Sequence, residues 1–236
     1  MKKILFRPSS QLTETLLDPP TTSISKIPDW FKKLPKTVSG ESFPNIKGRS
    51  SDLTVKPCIP FFDSITSGYM LTTPADMVFT LKDGVREVNW PTPDFQLIGE
   101  HTLNQLGSYE IPEEYEKHIL KWNGFWGIQT PPGYSLLFMH PLGRPELPFY
   151  SFHGIVDSDK HYVPINIPFV LRKGFVGVIP KGTPYAQVIP IKRESWHSKK
   201  KNFLDNGFDP NNVLGKVHLY AEKWYKKNIW ERKKYY

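Results

Sequence analysis

Asp157 and Asp159, one residue apart in Gly154-Ile155-Val156-Asp157-Ser158-Asp159, form the chain's densest candidate for chemistry. Side chains at i and i+2 of an extended segment project to the same side, so both acids could face one pocket, as a general base or as ligands for Mg²⁺. The same spacing also suits a turn in which each carboxylate accepts backbone N–H bonds ahead of a strand. Arg144 shares a loop with His140 and His153. A metal site would need a third ligand at defined spacing, and no HxH or HxxxH pair exists, so these histidines read as solvated or core residues. No phosphate-binding P-loop, GxSxG elbow or dinucleotide fingerprint occurs. The single cysteine, Cys58, excludes an intrachain disulfide and a cysteine-based metal cluster, and reads as a small buried residue in a reducing compartment.

A second kind of chemistry lies in the charge distribution. The net charge is +8 over 236 residues. From Lys192 onward there are twelve Lys and Arg against five acids, so nearly the whole excess belongs to that tail. Lys199, Lys200 and Lys201 form a triplet, and Trp196, Trp224, Tyr225 and Trp230 are interleaved with lysines. Basic residues meeting phosphates and rings stacking on bases would suit nucleic acid. Apolar residues at helical spacing would equally suit docking on a core or a neighbouring chain, with the lysines solvated.

The elements that must position these groups are mostly strands. Hydrophobic residues make up 39% of the chain, enough for a core, while 23 prolines demand turns and irregular connections. Residues 1–56 read as a proline-rich arm, in which Trp30, Phe31 and Leu34 form an amphipathic patch able to grip the body or a neighbour. Strands are expected from near Cys58. Asp76–Leu81 and Val85–Trp90 alternate about a Lys82-Asp83-Gly84 turn, a hairpin signature, and 91–110 looks irregular. Tyr134–Met139 reads as a strand buried on both faces, followed by strands over Tyr162–Leu171, Phe175–Ile179 and Tyr185–Ile191. A body over 57–192 precedes a basic aromatic tail over 193–236 with one helix, starting near Asp209-Pro210. The opening MKKILFRPSS holds too short an apolar run for a signal peptide, and no run approaches a membrane span, so a soluble intracellular protein with no membrane partner is expected.

Several segments together resemble the dUTPase and dCTP deaminase superfamily. Gly154–Asp159 matches its G-[IV]-[IV]-D-x-D motif, and Gly182-Thr183-Pro184-Tyr185-Ala186-Gln187 matches its Gly-led Ala-Gln turn. Ser67-Gly68-Tyr69-Met70-Leu71 is similar to the first motif, with Met70 where the family has an acid. Pro141-Leu142-Gly143-Arg144 stands where a Pro-Arg-Ser segment contacts phosphates. Lys160 and His161 separate Asp159 from Tyr162, which shifts the family's stacking tyrosine along the strand by roughly 6 to 7 Å. The glycine-rich closing tail is missing.

The chain also resembles an uncharacterised family of tailed-phage and environmental genomes over about residues 28–196. The residues that carry this are Pro28-Asp29-Trp30, Cys58-Ile59-Pro60-Phe61, Thr66-Ser67-Gly68-Tyr69, Thr130–Ser135, the Gly154–Asp157 segment and Gly182–Pro190. These likenesses imply a mainly β fold, either a dUTPase-like β-clip or a distorted β-barrel or sandwich, with an extended N-terminal arm and a C-terminal helix. They imply a homo-oligomer, a trimer above all, placed in host cytoplasm or associated with a virion.

Because the framework residues match and the chemistry residues mostly do not, the expected role is non-catalytic: binding or assembly as a virion component, or capture of a viral or host protein, with no cofactor. Trp30, Lys199, Lys200, Lys201, Trp224 and Trp230 would contact that partner or nucleic acid. The alternative is a nucleotide hydrolase or deaminase-like enzyme. There Asp157 with Asp159 would act with Mg²⁺, Arg144 would touch phosphate, Tyr162 would stack on the base, and Gly182 and Gln187 would form the ligand turn.

Overall fold

Side chains that alternate between core and solvent, broken by glycine and proline turns, build a mainly β protein. The computed structural model describes residues 2–38, 53–102, 107, 109–201 and 225–236. The chain divides into two units, Met1–Lys26 with Gly68–Arg193, and Ile27–Ser67 with Glu194–Tyr236. Residues 1–56 are therefore shared between the units, the first 26 lying with the strands.

The first unit opens with β1 (Leu5–Pro8), helix α1 (Gln11–Leu16), β2 (Thr21–Thr22), β3 (Tyr69–Thr72), β4 (Met77–Lys82), β5 (Val85–Asn89) and β6 (Ile98–His101). It continues through β7 (Tyr115–Trp122), β8 (Trp126–Gln129), β9 (Tyr134–Met139), β10 (Phe149–Ser151), β11 (Gly154–Val156), β12 (Ile167–Arg172), β13 (Gly177–Ile179) and β14 (Pro184–Lys192). These make four antiparallel sheets, ordered β1-β8, β10-β12-β7-β6, β11-β9-β14-β3-β2 and β13-β4-β5, with no closed barrel among the described residues. The β4–β5 turn forms as its Asp-Gly pair dictates. Asp83 and Gly84 take φ of 51° and 77°, the two left-handed positions of a hairpin turn whose twist matches its strands.

Aromatic rings join two of the sheets. Trp122 on β7 stacks on Phe169 of β12 with ring centres 3.9 Å apart, and on Tyr185 of β14 at 5.1 Å. The indole N–H donates to Ser151 Oγ at 3.1 Å, whose hydroxyl donates to the Tyr185 carbonyl at 2.6 Å. The polar edge of this buried ring is thus satisfied, which the low dielectric of a core requires.

Four local expectations change. The segment expected as a strand over Tyr162–Leu171 begins only at Ile167. Its first half instead crosses Gly124 and Gly127, where an added Cβ would lie 2.4 Å from the Ile165 carbonyl oxygen and 2.1 Å from that of Tyr162. Residues 91–110 are not wholly irregular, since β6 pairs with β7. The N-terminal arm supplies β1, paired with β8, and β2, paired with β3. Near Cys58 the chain forms a helix rather than a strand.

That helix belongs to the second unit, which contains α2 (Asp29–Lys33) and α3 (Ile59–Thr66). Pro60 fills a first-turn position of α3, where a missing N–H costs nothing. Phe31 of α2 is 3% exposed and stacks on Phe61 of α3 with centres 5.7 Å apart. Trp230 donates its indole N–H to Asp63 of α3 at 2.9 Å, and Lys233 pairs with the same carboxylate at 2.9 Å. Cys58, expected to be buried, is exposed at the N-cap of α3. The helix expected from Asp209 lies almost wholly outside the described residues, which resume with one helical turn over 225–228.

Candidate functional site

The two acids sit in the turn that leaves β11. The Asp157 carbonyl accepts the N–H groups of Lys160 and His161 at 2.9 and 2.8 Å, which curls the chain and points both carboxylates back toward the start of β9. There Pro131-Pro132-Gly133-Tyr134 forms a tight turn, closed by the Tyr134 N–H to the Pro131 carbonyl at 3.2 Å, with Gly133 at φ 81°. Proline and glycine occupy the second and third positions a type II turn favours.

One residue that sequence reasoning placed in the tail ties these turns together. Arg193 follows β14 directly, and its N–H donates to the Gly133 carbonyl at 2.9 Å, continuing the β14–β9 ladder by one rung. Its guanidinium grips Asp159 with both terminal nitrogens, one at 2.9 Å from Oδ1 and the other on Oδ2. The first of these also lies 3.2 Å from Asp157 Oδ1, and donates to Ser135 Oγ and the Tyr134 carbonyl, each at 3.1 Å. Asp159 Oδ2 further accepts the Gly133 N–H at 2.9 Å, and Asp157 Oδ1 accepts the Ser135 hydroxyl at 2.6 Å. The Asp159 carboxyl is 7% exposed, whereas that of Asp157 is 54% exposed.

The electrostatics follow from these contacts. The Arg193 hydrogen bonds, helped by the Gly133 N–H, pull the Asp159 carboxyl down to about 2. The Ser135 hydroxyl, with Arg193 behind it, holds Asp157 below the usual carboxylate range. Hydrogen bonds to the charged form always act in that direction. Both acids are anions at neutral pH, and the turn, rather than an extended segment, brings both to one side. A guanidinium occupies that side. Mg²⁺ fits the pair poorly: both oxygens of Asp159 are engaged, and the fork's positive charge would repel a second cation. Among the described residues no group of three or more His, Cys, Asp and Glu is placed to hold a metal ion.

Arg144, Gly182 and Gln187 gather elsewhere. Gln187 on β14 is fully buried, and its Oε1 accepts the Leu142 N–H at 3.1 Å, pinning the loop that follows β9. In that loop the Arg144 side chain, 13% exposed, donates to the Lys26 carbonyl and to Glu146 at 3.1 Å. Its Nε is buried without a hydrogen-bond partner among the described residues. Gly182, at φ 80°, makes the turn into β14, its N–H donating to the Thr73 carbonyl at 2.8 Å. Gln187 pairs with Met139 at one end of β9, whereas Asp157 meets Ser135 near the other. Four residues of strand separate them, about 13 Å. Within one chain the acids and the arginine–glutamine group therefore occupy two places. Tyr162 is 42% exposed, with the Arg7 guanidinium 5.4 Å from its ring centre.

His140 is a core-edge residue, whereas His153 is exposed. His140 Nδ1 accepts the Ser151 N–H at 3.3 Å, and its ring stacks on Tyr150 with centres 5.0 Å apart. Burial above all, with repulsion from His153 next, lowers its pKa to about 4, so it is neutral at pH 7.

The candidates for partner contact lie in the second unit. Trp30 on α2 is half-buried against Phe31 and Phe61, and Trp230 is half-buried on Asp63. Lys199, Lys200 and Lys201 are exposed in irregular chain, following Trp196, which is 86% exposed. Trp224 lies outside the described residues. No helix among the described residues is long and apolar enough to cross a membrane.

What sequence reasoning missed is Arg193. Its signal is weak but physical: it directly follows a strand, so it is held in register, unlike the lysines beyond it. No protein-family model matches the chain, and no curated protein matches it.

Proposed function

We propose that this chain is a β-clip protein that acts by binding or assembly, without turnover at the Gly154–Asp159 segment. The observation that carries the reading is the Arg193 clamp. A catalytic base must be free to take a proton, yet Asp157 shares the clamp with Asp159 and its pKa is held down rather than poised near neutrality. The groups a nucleotide hydrolase would use for phosphate and base are likewise engaged, Gln187 on a loop N–H and Arg144 on a carbonyl and Glu146. Such contacts stiffen a scaffold. The likeness to β-clip relatives supports a trimer, serving as a virion component or as a binder of viral or host protein, in host cytoplasm or on the particle.

The test is to incubate the purified full chain with dUTP or dCTP and Mg²⁺, and to follow pyrophosphate, ammonia and melting temperature. No product and no nucleotide-dependent rise in melting temperature are expected. Turnover that disappears in Asp157→Asn would overturn the reading and install Asp157 as a base.

A second reading draws on one observation of its own. The exposed Lys199–Lys201 triplet close to the almost fully exposed Trp196 offers phosphate contacts and a stacking ring together. Binding of a single-stranded oligonucleotide would then weaken steeply with salt and be lost on replacing the three lysines with alanine. Binding that ignores salt would exclude it.

A further inference from the structure

The second unit contains a cavity of about 620 Å³ whose lining is chemically lopsided. That volume falls within the range of small-molecule sites, roughly 300–1,000 Å³. Its floor is apolar: Ile27, Ile59, Phe62 and Trp230 line it beside the buried Phe31. Its other described lining residues include five cations and no carboxylate.

Two of the cations already have duties. Lys32 pairs with Asp29 at 2.9 Å, and Lys56 Nζ caps α2 by donating to the Phe31 and Lys32 carbonyls at 2.6 and 3.1 Å. The other three, Lys36, Lys226 and Arg232, are exposed and make no ion pair with a described carboxylate. Asp63 of α3, which could have neutralised one of them, is spent on Trp230 and Lys233. Like charges converging on an apolar hollow repel one another. An anion relieves that repulsion, while the floor rewards an apolar body.

We propose that this cavity is a binding site for a small amphiphilic anion: an aryl or alkyl body bearing one carboxylate, sulfonate or phosphate, with the body on the Phe62–Trp230 floor and the anion among Lys36, Lys226 and Arg232. The chemistry distinguishes this from the alternatives. A neutral apolar ligand leaves the cations unused, and inorganic phosphate leaves the floor wet. A nucleic-acid strand needs a track along which phosphates repeat, whereas the cations here surround one hollow. The proposal stands apart from the role of the first unit, because it shares no residue with the Arg193 clamp.

The probe is 8-anilinonaphthalene-1-sulfonate, an aryl sulfonate that fluoresces on leaving water, titrated into the full-length protein. Decanoate, decan-1-ol, inorganic phosphate and a ten-residue oligothymidylate serve as competitors. The expected result is saturable binding of one probe per chain. Decanoate should displace it at concentrations about tenfold below decanol, because only decanoate supplies the charge-assisted contacts. Phosphate should be ineffective. Lys226→Ala with Arg232→Ala, both exposed and so harmless to the fold, should weaken binding by about tenfold or more. Ile59→Trp, which fills the cavity without touching its charge, should abolish it. Should Ile59→Trp fail to give the native circular dichroism, the double alanine variant decides alone. Equal displacement by decanol and decanoate, or binding unchanged in the double variant, overturns the proposal. Displacement by the oligothymidylate but not by decanoate also overturns it, in favour of a nucleic-acid surface.

Discussion

At the scale of residues, the chain spends its ionisable groups on holding itself together. His140 is kept neutral by burial at a site where its Nδ1 must accept a backbone N–H. Its pKa is about 4 when folded and 6.5 when unfolded. A depressed histidine binds its proton first in the unfolded state, so stability is full above pH 6.5 and declines as the pH falls toward 4. Melting temperature measured from pH 7 to 4.5 should show that decline, and His140→Asn, which keeps an acceptor but does not titrate, should flatten it. An unchanged pH profile in His140→Asn would remove His140 as the cause. Arg86 is the counterpart in charge. Its side chain is 5% exposed, paired with Glu116 and donating to the Phe175 carbonyl. Removing one partner strands a buried charge, so Glu116→Ala should cost about 3 kcal/mol in urea-induced unfolding. A loss below about 1 kcal/mol would mean that water reaches the guanidinium.

At the scale of elements, glycines show where backbones touch. An added Cβ at Gly68 would lie 2.0 Å from the Val188 carbonyl oxygen, at φ 75°, in the β3–β14 pairing. Gly84 has nearly the same φ, 77°, but open space around it. Gly84→Ala should therefore cost about 1 kcal/mol from the left-handed backbone alone. Gly68→Ala should cost at least about 3 kcal/mol, because strand and strain fail together. Equal losses in urea unfolding would contradict the close approach.

The same elements mark the limits of reading a sequence. The β4–β5 hairpin was legible because its signal, alternation about Asp83-Gly84, is local. So was β9, a short apolar run, and the glycine turn that opens β14. By contrast β1 pairs with β8 more than a hundred residues away, and nothing in Leu5–Pro8 names that partner. Helix α3 hid because four residues of Ile59–Phe62 are apolar or proline, a pattern shared by buried strands and helices. At the site, the turn in which a carboxylate accepts a backbone N–H was legible in Gly154–Asp159. The clamp was not, since Arg193 is 34 residues beyond Asp159 and reads as one more tail cation.

At the scale of the whole molecule, the strands of the first unit and the helices of the second divide the labour. The first unit carries the Arg193 clamp between its turns, and the second unit carries the unneutralised charge and the exposed Trp196. Light scattering on the eluting full-length protein should give a mass near three times 27.3 kDa if the trimer proposed for the β-clip likeness forms. A mass of 27.3 kDa across the micromolar range would exclude assembly by the chain alone.

The central claim is that Asp157 and Asp159 serve the fold. Residues kept for catalysis are commonly held at a cost to stability, so neutralising them leaves a protein as stable as before or more so. Structural acids behave in the opposite way. Asp159 is pulled down to about 2 from 3.8, so its contribution is present above pH 3.8 and lost as the pH falls toward 2. The most direct measurement is therefore the melting temperature of Asp159→Asn against the native chain at pH 7 and again at pH 2. A drop of a few degrees at pH 7 that closes at pH 2, with Arg193→Met adding little to it, is the predicted result. A melting temperature at pH 7 equal to or above that of the native chain would contradict the account.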